Sequence, residues 1–442
     1  MPHAIQPDKA RQFATRVVQQ LRAAGHEAYW AGGCVRDQLL RLEPHDYDVA
    51  TSAKPDEIRR CFTPRRTLPL AAAFGVIMVL GRWGEGQIEV ATFRQDVGYS
   101  DGRHPDDVVF STAQLDAQRR DFTINGLFYD PITDRVIDFV GGQEDLHTGI
   151  IRAIGDPSAR IGEDRLRMLR AARFAATFDF QVDPATRAAV VDNADRIVEV
   201  SAERIAGEMR RMLVHPRRAL AVTLLQEMRL LPVILPESSG VLTPDADPAP
   251  AGQSDSQSAW LTTLALLRAL DRPTFPTALA ALLRAVYRHV ANPAQLVARI
   301  GQRWKLSNTE LNRTAWLLAT ESMIRHADQW PWPDIQRVLI APGIEQLMGL
   351  AESVVRVAKN NPSGVAFCRE KLLLPPEKLD PLPLLTGDDL RQAGLQPGPV
   401  FRVILTELRD QQLLGQLTSK QAALAEAKAL ADRLANVPWK EH

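Results

Sequence analysis

The pattern of apolar and polar positions divides the chain into a strand-rich first third and a long helical remainder. Between Asp8 and Ala24, Phe13, Val17, Val18 and Leu21 recur at helical spacing, and Gly25 offers a C-cap. His26 to Ala31 is a strand candidate that runs into Gly32 and Gly33, after which Val35 to Leu42 predicts a short helix. Asp46 to Ala50 is extended, and Pro55 to Cys61 is a short helix with proline at its first position. Phe74 to Leu80 and Gln87 to Phe93 are β-rich runs with Gly84 and Gly86 making the turn between them. Arg94 to Pro105 is polar and glycine-containing and predicts a mobile loop. A hairpin over Asp130 to Phe139 closes the strand-rich part.

From about Glu144 the pattern is helical. Glu163 to Phe174 predicts one helix, in which Asp164, Arg167 and Arg170 fall every three residues and share a stripe. Ala202 to Val214 is a further amphipathic helix. Pro236 to Gln257 is rich in Pro, Ser, Ala and Asp without periodicity, which predicts a flexible insertion or linker. Helices are then expected over Trp260–Leu270, Thr277–His289, Pro293–Trp304, Asn308–Ser322, Pro333–Ala341, Gly343–Ala358 and Leu414–Leu434, with no fixed repeat period. The expected architecture is α+β: a small mixed-sheet head over 1–145, a helical neck over 146–235, a linker over 236–258, and a helical body and tail over 259–442.

Composition changes this picture little. The 442 residues balance 53 Lys+Arg against 53 Asp+Glu, so any polyanion-binding surface must come from local segregation of charge. Three cysteines far apart in sequence have no metal-ligand spacing and fit a reducing compartment. No signal-peptide pattern and no membrane-length apolar run is present, so a cytoplasmic protein with no membrane partner is expected.

Candidate chemistry concentrates near the Gly32-Gly33 turn. Adjacent glycines let a phosphate approach backbone N–H groups, and Arg36 stands close by as a donor to triphosphate oxygens. Asp46 and Asp48, at i and i+2 of an extended run, project to one side. Two neighbouring carboxylates repel unless a cation lies between them, and Mg²⁺ is the hard cation that accompanies phosphates. Glu89, on a following strand, reads equally as an exposed strand residue or as a third carboxylate. Arg119-Arg120-Asp121-Phe122-Thr123-Ile124-Asn125 reads as a salt-bridged helix start or as a source of phosphate and ribose contacts. The Asp164–Arg167–Arg170 stripe reads as a solvated face or as a base-reading surface. In the second reading an Asp accepts from an exocyclic amine beside an Arg that donates to a ring nitrogen. That pairing suits cytosine and adenine and rejects uracil and guanine.

The ordered motifs Gly-Gly-x-Val-Arg-Asp, Asp-x-Asp, Arg-Arg-Asp-Phe-Thr-Ile-Asn and Glu-Asp-x-x-Arg, spanning about Ala28 to Leu213, resemble the bacterial class II polymerase-β-type nucleotidyltransferases. That family contains tRNA CCA-adding enzymes, their CC-adding and A-adding relatives, and poly(A) polymerases. The resemblance implies that Asp46 and Asp48 hold catalytic Mg²⁺ with Glu89 as a possible third carboxylate. Gly33 and Arg36 would then bind the triphosphate, and Arg120 the nucleotide. Asp164 and Arg167 would select the base, with Arg170 and Arg173 adding contacts. It further implies CTP and ATP as substrates, tRNA as the macromolecular partner with no obligate protein partner, and in-line attack of the RNA 3′-hydroxyl on the α-phosphate by two-metal phosphoryl transfer. Two departures stand out: Gly126 where Ala is usual, and Arg41 where glycine often follows the first helix. Phe74 to Val79 lacks the Gly-Arg-Arg-Phe-type segment, and the tail mixes acids with bases, both favouring tRNA end synthesis over poly(A) addition. The loop Asp96 to Arg103 resembles one that CC-adding enzymes tend to lose. The expected activity is CCA addition. Behind it stand A addition or CC addition alone, then poly(A) synthesis, then a catalytically silent RNA-binding protein.

Overall fold

The computed structural model describes residues 6–71, 75–97, 107–242 and 254–435. They form two compact units, one built from residues 1–240 and 300–306, the other from 241–299 and 307–442.

The first unit opens with α1 (Pro7–Ala23), whose buried face of Phe13, Val17, Val18 and Leu21 is the stripe expected from sequence. The chain then forms β1 (Ala28–Ala31), α2 (Gly33–Leu39), β2 (Asp48–Thr51) and α3 (Pro55–Phe62). Next come β3 (Thr67–Ala71), β4 (Val76–Leu80), β5 (Gln87–Thr92), β6 (Arg94–Val97) and β7 (Asp107–Phe110). After α4 (Ala113–Gln118), β8 (Leu127–Asp130) and β9 (Arg135–Asp138) complete the strand-rich part. Seven strands make one sheet in the order β3-β4-β5-β2-β1-β8-β9. Only β2 and β5 run parallel, so the sheet is mixed, as expected. Its packing centres on Trp30, which meets Tyr47 and Tyr129 at ring centroids of 4.8 and 5.2 Å.

Sequence periodicity missed β3, an edge strand that tolerates Pro69 because its outer backbone groups need no partner. The expected loop over Arg94–Pro105 begins instead as strand, where β6 pairs antiparallel with β7 in a two-stranded ribbon. Residues 98–106, which hold most of the Asp96–Arg103 segment, lie outside the described residues, as do 72–74.

Beyond β9 the unit continues with α5 (Gly142–Thr148), β10 (Ile150–Ile151), α6 (Pro157–Glu163), α7 (Leu166–Phe178), β11 (Gln181–Val182) and α8 (Pro184–Asp192). It ends with α9 (Ala202–Val214), α10 (Arg218–Glu227) and α11 (Leu231–Ile234). The stretch is not wholly helical, because β10 and β11 form a short parallel pair. A two-residue pairing leaves no readable period in sequence.

The second unit consists of α12 (Ser254–Ala269), α13 (Phe275–His289), α14 (Pro293–Trp304, whose last turn belongs to the first unit), α15 (Asn308–Arg325), α16 (Trp332–Leu339) and α17 (Ile344–Ala358). It continues with α18 (Ser363–Leu372), α19 (Pro376–Leu379), α20 (Gly387–Gln392), α21 (Pro399–Leu413) and α22 (Lys420–Ala435). Residues 243–253 of the expected linker lie outside the described residues, and α12 begins at Ser254 within its expected span. The last helix starts at Lys420 rather than Leu414, because Gly415, at φ 73°, ends α21 first. No single helix among the described residues is long and apolar enough to cross a membrane.

Both departures from the family pattern have a local account. A Cβ on Gly126 would lie 2.7 Å from Val140 Cγ2 and 3.1 Å from Ile154 Cδ1, so these larger neighbours occupy the space of an alanine methyl. Arg41 sits at φ 58° just past α2. Its N–H bonds the Gln38 carbonyl at 3.0 Å and the Leu42 N–H bonds the Asp37 carbonyl at 2.8 Å, the paired bonds of a Schellman C-cap. A Cβ is strained there, so Arg41→Gly is expected to raise unfolding stability by about 0.5–1 kcal/mol, read as a higher denaturant midpoint at unchanged m-value.

Candidate active site

The floor of the site is built where β1 hands over to α2. Gly32 turns the chain at φ 72°, a conformation that favours glycine, and a Cβ there would lie 2.9 Å from Arg120 Nη1 and displace that guanidinium. Arg36 in α2 is buried; its Nη1 donates to Asn125 Oδ1 at 2.6 Å and its Nε to Asp37 Oδ1 at 2.9 Å. Its guanidinium lies over the Phe178 ring at 4.6 Å.

Asp48 is the first residue of β2, whereas Asp46 lies in the irregular segment just before it. The parallel register sets Asp48 opposite Glu89 on β5. Asp48 reaches solvent, yet the surrounding protein desolvates it. That burial, together with the charges of Asp46 and Glu89 and against the pull of Arg120, pushes its carboxyl up to about 7. Negative charge is thus packed here beyond what nearby cations offset. Hard oxygen donors in excess of local positive charge fit a divalent cation. Among the described residues no three His, Cys, Asp or Glu side chains converge closely enough to ligate an ion unaided. Behind the strand, burial pushes the Cys34 thiol up to about 12, which leaves it protonated and inert.

One wall comes from the Arg119–Asn125 segment. Asp116 of α4, fully buried, accepts from Arg119 Nε at 2.9 Å and Arg120 Nη2 at 3.0 Å. Burial alone would raise the Asp116 carboxyl, but Arg120 and Arg119 outweigh it and hold it low. Asp121 accepts from the Phe122 N–H at 2.8 Å, from Asn125 Nδ2 at 3.0 Å and from Arg170 Nε at 2.7 Å. Here too burial is overcome, by Arg170 first, and the carboxyl is held far below the usual range.

The opposite wall departs from the sequence reading. Asp164 does not share a helix with Arg167 and Arg170: α6 ends at Glu163, the backbone extends at Asp164 (φ −148°), and α7 begins at Leu166. The break frees the Asp164 carboxylate to accept from the Leu166 N–H at 3.1 Å, as N-terminal acids do, and from Arg204 Nη2 at 2.6 Å. Arg167 is held by Glu163 and by the Arg160 carbonyl, both at 2.6 Å. Arg173 pairs with the buried Glu208 of α9, and its guanidinium lies 4.0 Å over Phe174.

Gly33, Arg36, Asp46, Asp48, Arg120, Asp164, Arg167, Arg170 and Arg173 all line one open cleft of about 630 Å³, so residues spread over some 140 positions converge. Glu89 stands beside Asp48 but is not part of the lining. Sequence reasoning missed Arg204 and Arg211, both on α9, which was read only as an amphipathic helix; the one available signal was a pair of arginines seven residues, two turns, apart on its polar face. With nine arginines against four aspartates in its lining, the cleft attracts polyanions.

A model of the "Poly A polymerase head domain" matches residues 28–152, and one of the "Probable RNA and SrmB- binding site of polymerase A" matches 179–241. The CCA-adding enzyme of Lacticaseibacillus paracasei is 34% identical over 422 residues, 94% of each chain. The chain belongs to the family of CCA-adding enzymes and bacterial poly(A) polymerases. The CCA-adding enzyme of Limosilactobacillus fermentum is likewise 34% identical, over 94% of this chain and 95% of its own. Among solved structures, the Bacillus stearothermophilus CCA-adding enzyme in complex with CTP superposes with a TM-score of 0.75 at 26% identity, covering 96% of this chain and 99% of that one. A divalent metal ion is the cofactor class of this family.

Proposed function

We propose that this protein adds the 3′-terminal C, C and A to tRNA from CTP and ATP, without a nucleic-acid template. The observation that carries this reading is the convergence of Asp46 and Asp48 with Asp164 and Arg167 in one arginine-lined cleft, in a chain whose full-length relatives are CCA-adding enzymes. The RNA 3′-oxygen bonds to the α-phosphorus, the α–β bridge bond breaks, and pyrophosphate leaves. Asp46 and Asp48, with Glu89 alongside, hold Mg²⁺. An ion held there would supply the charge that favours ionisation of the attacking hydroxyl and offsets charge on the phosphates, so no side-chain base would be required. Gly33 and Arg36 receive the triphosphate, and Arg120 contacts the nucleotide. Arg170 and Arg173 add positive charge along the cleft. Asp164 accepts from the exocyclic amine of C or A while Arg167 donates to the adjacent ring nitrogen, a pairing that UTP and GTP cannot offer.

We further assign residues 1–145 as the catalytic head, 146–235 as the nucleotide-selecting neck, 236–258 as a linker, and 259–442 as the tRNA-gripping body and tail. The free thiols of Cys34, Cys61 and Cys368 suit residence in the cytoplasm.

Labelled CTP and ATP offered with Mg²⁺ to transcripts ending before CCA, after C and after CC test the activity directly. Use of both nucleotides, stopping after one A, is expected. ATP incorporation only on the CC-ended transcript marks A addition alone, and long A tracts on unrelated RNA mark a poly(A) polymerase. The base-reading role has its own test. Asp164→Ala should lower the CTP-over-UTP ratio of kcat/KM by about 10- to 100-fold, the value of one lost base-edge pairing. An unchanged ratio in a folded variant moves base reading elsewhere.

A further inference from the structure

The second unit holds a pocket of about 360 Å³ between α12 and α13. Arg284 and Arg288 reach it from successive turns of α13, and Ser258 and Thr262 from successive turns of α12, with Thr263 and His289 at its edge. Among the described residues no Asp or Glu is part of this lining. Nearly every polar group facing the space is therefore a donor, unlike the neighbouring pocket over Asp271, Glu345 and Glu352, where acids and arginines alternate.

The donors are held in place from behind. Arg284 is largely buried and gives its Nε to Glu321 at 3.0 Å, which fixes the plane of the guanidinium. Glu321, buried on α15, is shared with Arg325, so one carboxylate serves two cations. Burial, partly opposed by Glu321, pushes the Arg284 guanidinium down, and the charges of Arg325 and Arg288 add to that push. Arg288 has no side-chain partner among the described residues. Among the described residues Arg284, Arg288 and Arg325 thus face the single carboxylate of Glu321, and this net positive charge stands beside hydroxyls at a concave surface, a set that can receive phosphate oxygens.

We propose that the α12–α13 pocket binds a phosphate group, carried by the RNA backbone or by a free nucleotide, apart from the catalytic cleft. Arg284 and Arg288 take its oxygens from one side and the Ser258 and Thr262 hydroxyls from the other.

Arg288→Gln tests this in the full-length protein; Arg284 is left intact because its loss would remove one of the two partners of the buried Glu321. Binding of a labelled tRNA transcript lacking CCA is followed across a salt series, and inorganic pyrophosphate is titrated calorimetrically. If the phosphate belongs to RNA, tRNA affinity falls about 3- to 10-fold and the slope of log K against log salt drops by about one. If it belongs to a free nucleotide, tRNA binding is unchanged, and the wild type shows a second pyrophosphate site that the variant lacks. Unchanged affinity, slope and pyrophosphate stoichiometry together overturn the proposal. So does a loss of kcat at saturating tRNA with unaltered binding, which places Arg288 in the catalytic path. Because the readout is binding, it stands whether or not the cleft adds C, C and A.

Discussion

Asp48→Asn is expected to lower kcat for both CTP and ATP by on the order of 10³-fold or more while the protein stays folded. The substitution preserves shape but removes the charge that best explains the site. Asp48 stands opposite Glu89 and close to Asp46, with burial and both neighbouring charges opposing its ionisation. The sign of the stability effect follows from that direction. A carboxyl whose folded pKa is raised to about 7 is most stabilising when protonated, so its contribution is lost as pH rises from about 4 through 7. In metal-free buffer above pH 7, Asp48→Asn should therefore melt higher than the wild type. Added Mg²⁺ should raise the wild-type Tm and leave the variant's nearly unmoved. An inactive variant whose Tm still responds to Mg²⁺ like the wild type would place the metal elsewhere, and full activity would remove the carboxylate from the chemistry altogether.

Asp121→Ala carries the largest expected cost in stability, about 3 kcal/mol. The buried Asp121 carboxylate satisfies the Phe122 N–H, Asn125 and Arg170 together, and Asn125 in turn holds Arg36. Removing it leaves Arg170, about one-third exposed, without its main partner, so the figure sits at the lower end for a broken buried pair. The pH dependence runs opposite to that of Asp48. A depressed carboxyl contributes fully above its unfolded value near 4 and loses that contribution as pH falls below it. The gap between wild type and Asp121→Ala in urea midpoint should therefore be full at pH 7, begin to shrink below about pH 4 and be measurably smaller at pH 3. A constant gap would mean that lost packing, not charge, sets the cost. Activity should fall too, because Arg36 and Arg170 both line the cleft that this carboxylate organises.

Much of the architecture was readable from periodicity. The α1 stripe, the β4 and β5 runs, the β8–β9 hairpin and most helices beyond α12 have apolar spacing that only one element type satisfies. The helices α18 and α21, ten and fifteen residues long, were not among those expected, and the missed strands were too short or had partners too distant in sequence. Strand β3 is an edge, β6 and β7 form an isolated ribbon, and β10 and β11 are two residues each. The break at Asp164 was hidden because Leu166, Leu169 and Phe174, the apolar residues that carry the helical period, all lie beyond it in α7.

The sequence by itself determined the chemistry-bearing set: the paired glycines, the Asp46–Asp48 spacing, the twin arginine before Asp121, and the acid–arginine stretch from Asp164 to Arg173. Each is local in sequence, although its backbone is not regular throughout: Asp46 lies just before β2, and Asp164 between α6 and α7. Only the tertiary structure decided what stands beside what. The parallel β2–β5 register puts Glu89 opposite Asp48, the α6–α7 break turns Asp164 toward Arg204, and Asp121 joins Arg36 to Arg170 through Asn125. Those relations join residues 40 or more positions apart, and they rest on charge pairing and sheet register, which leave no periodic trace along the chain.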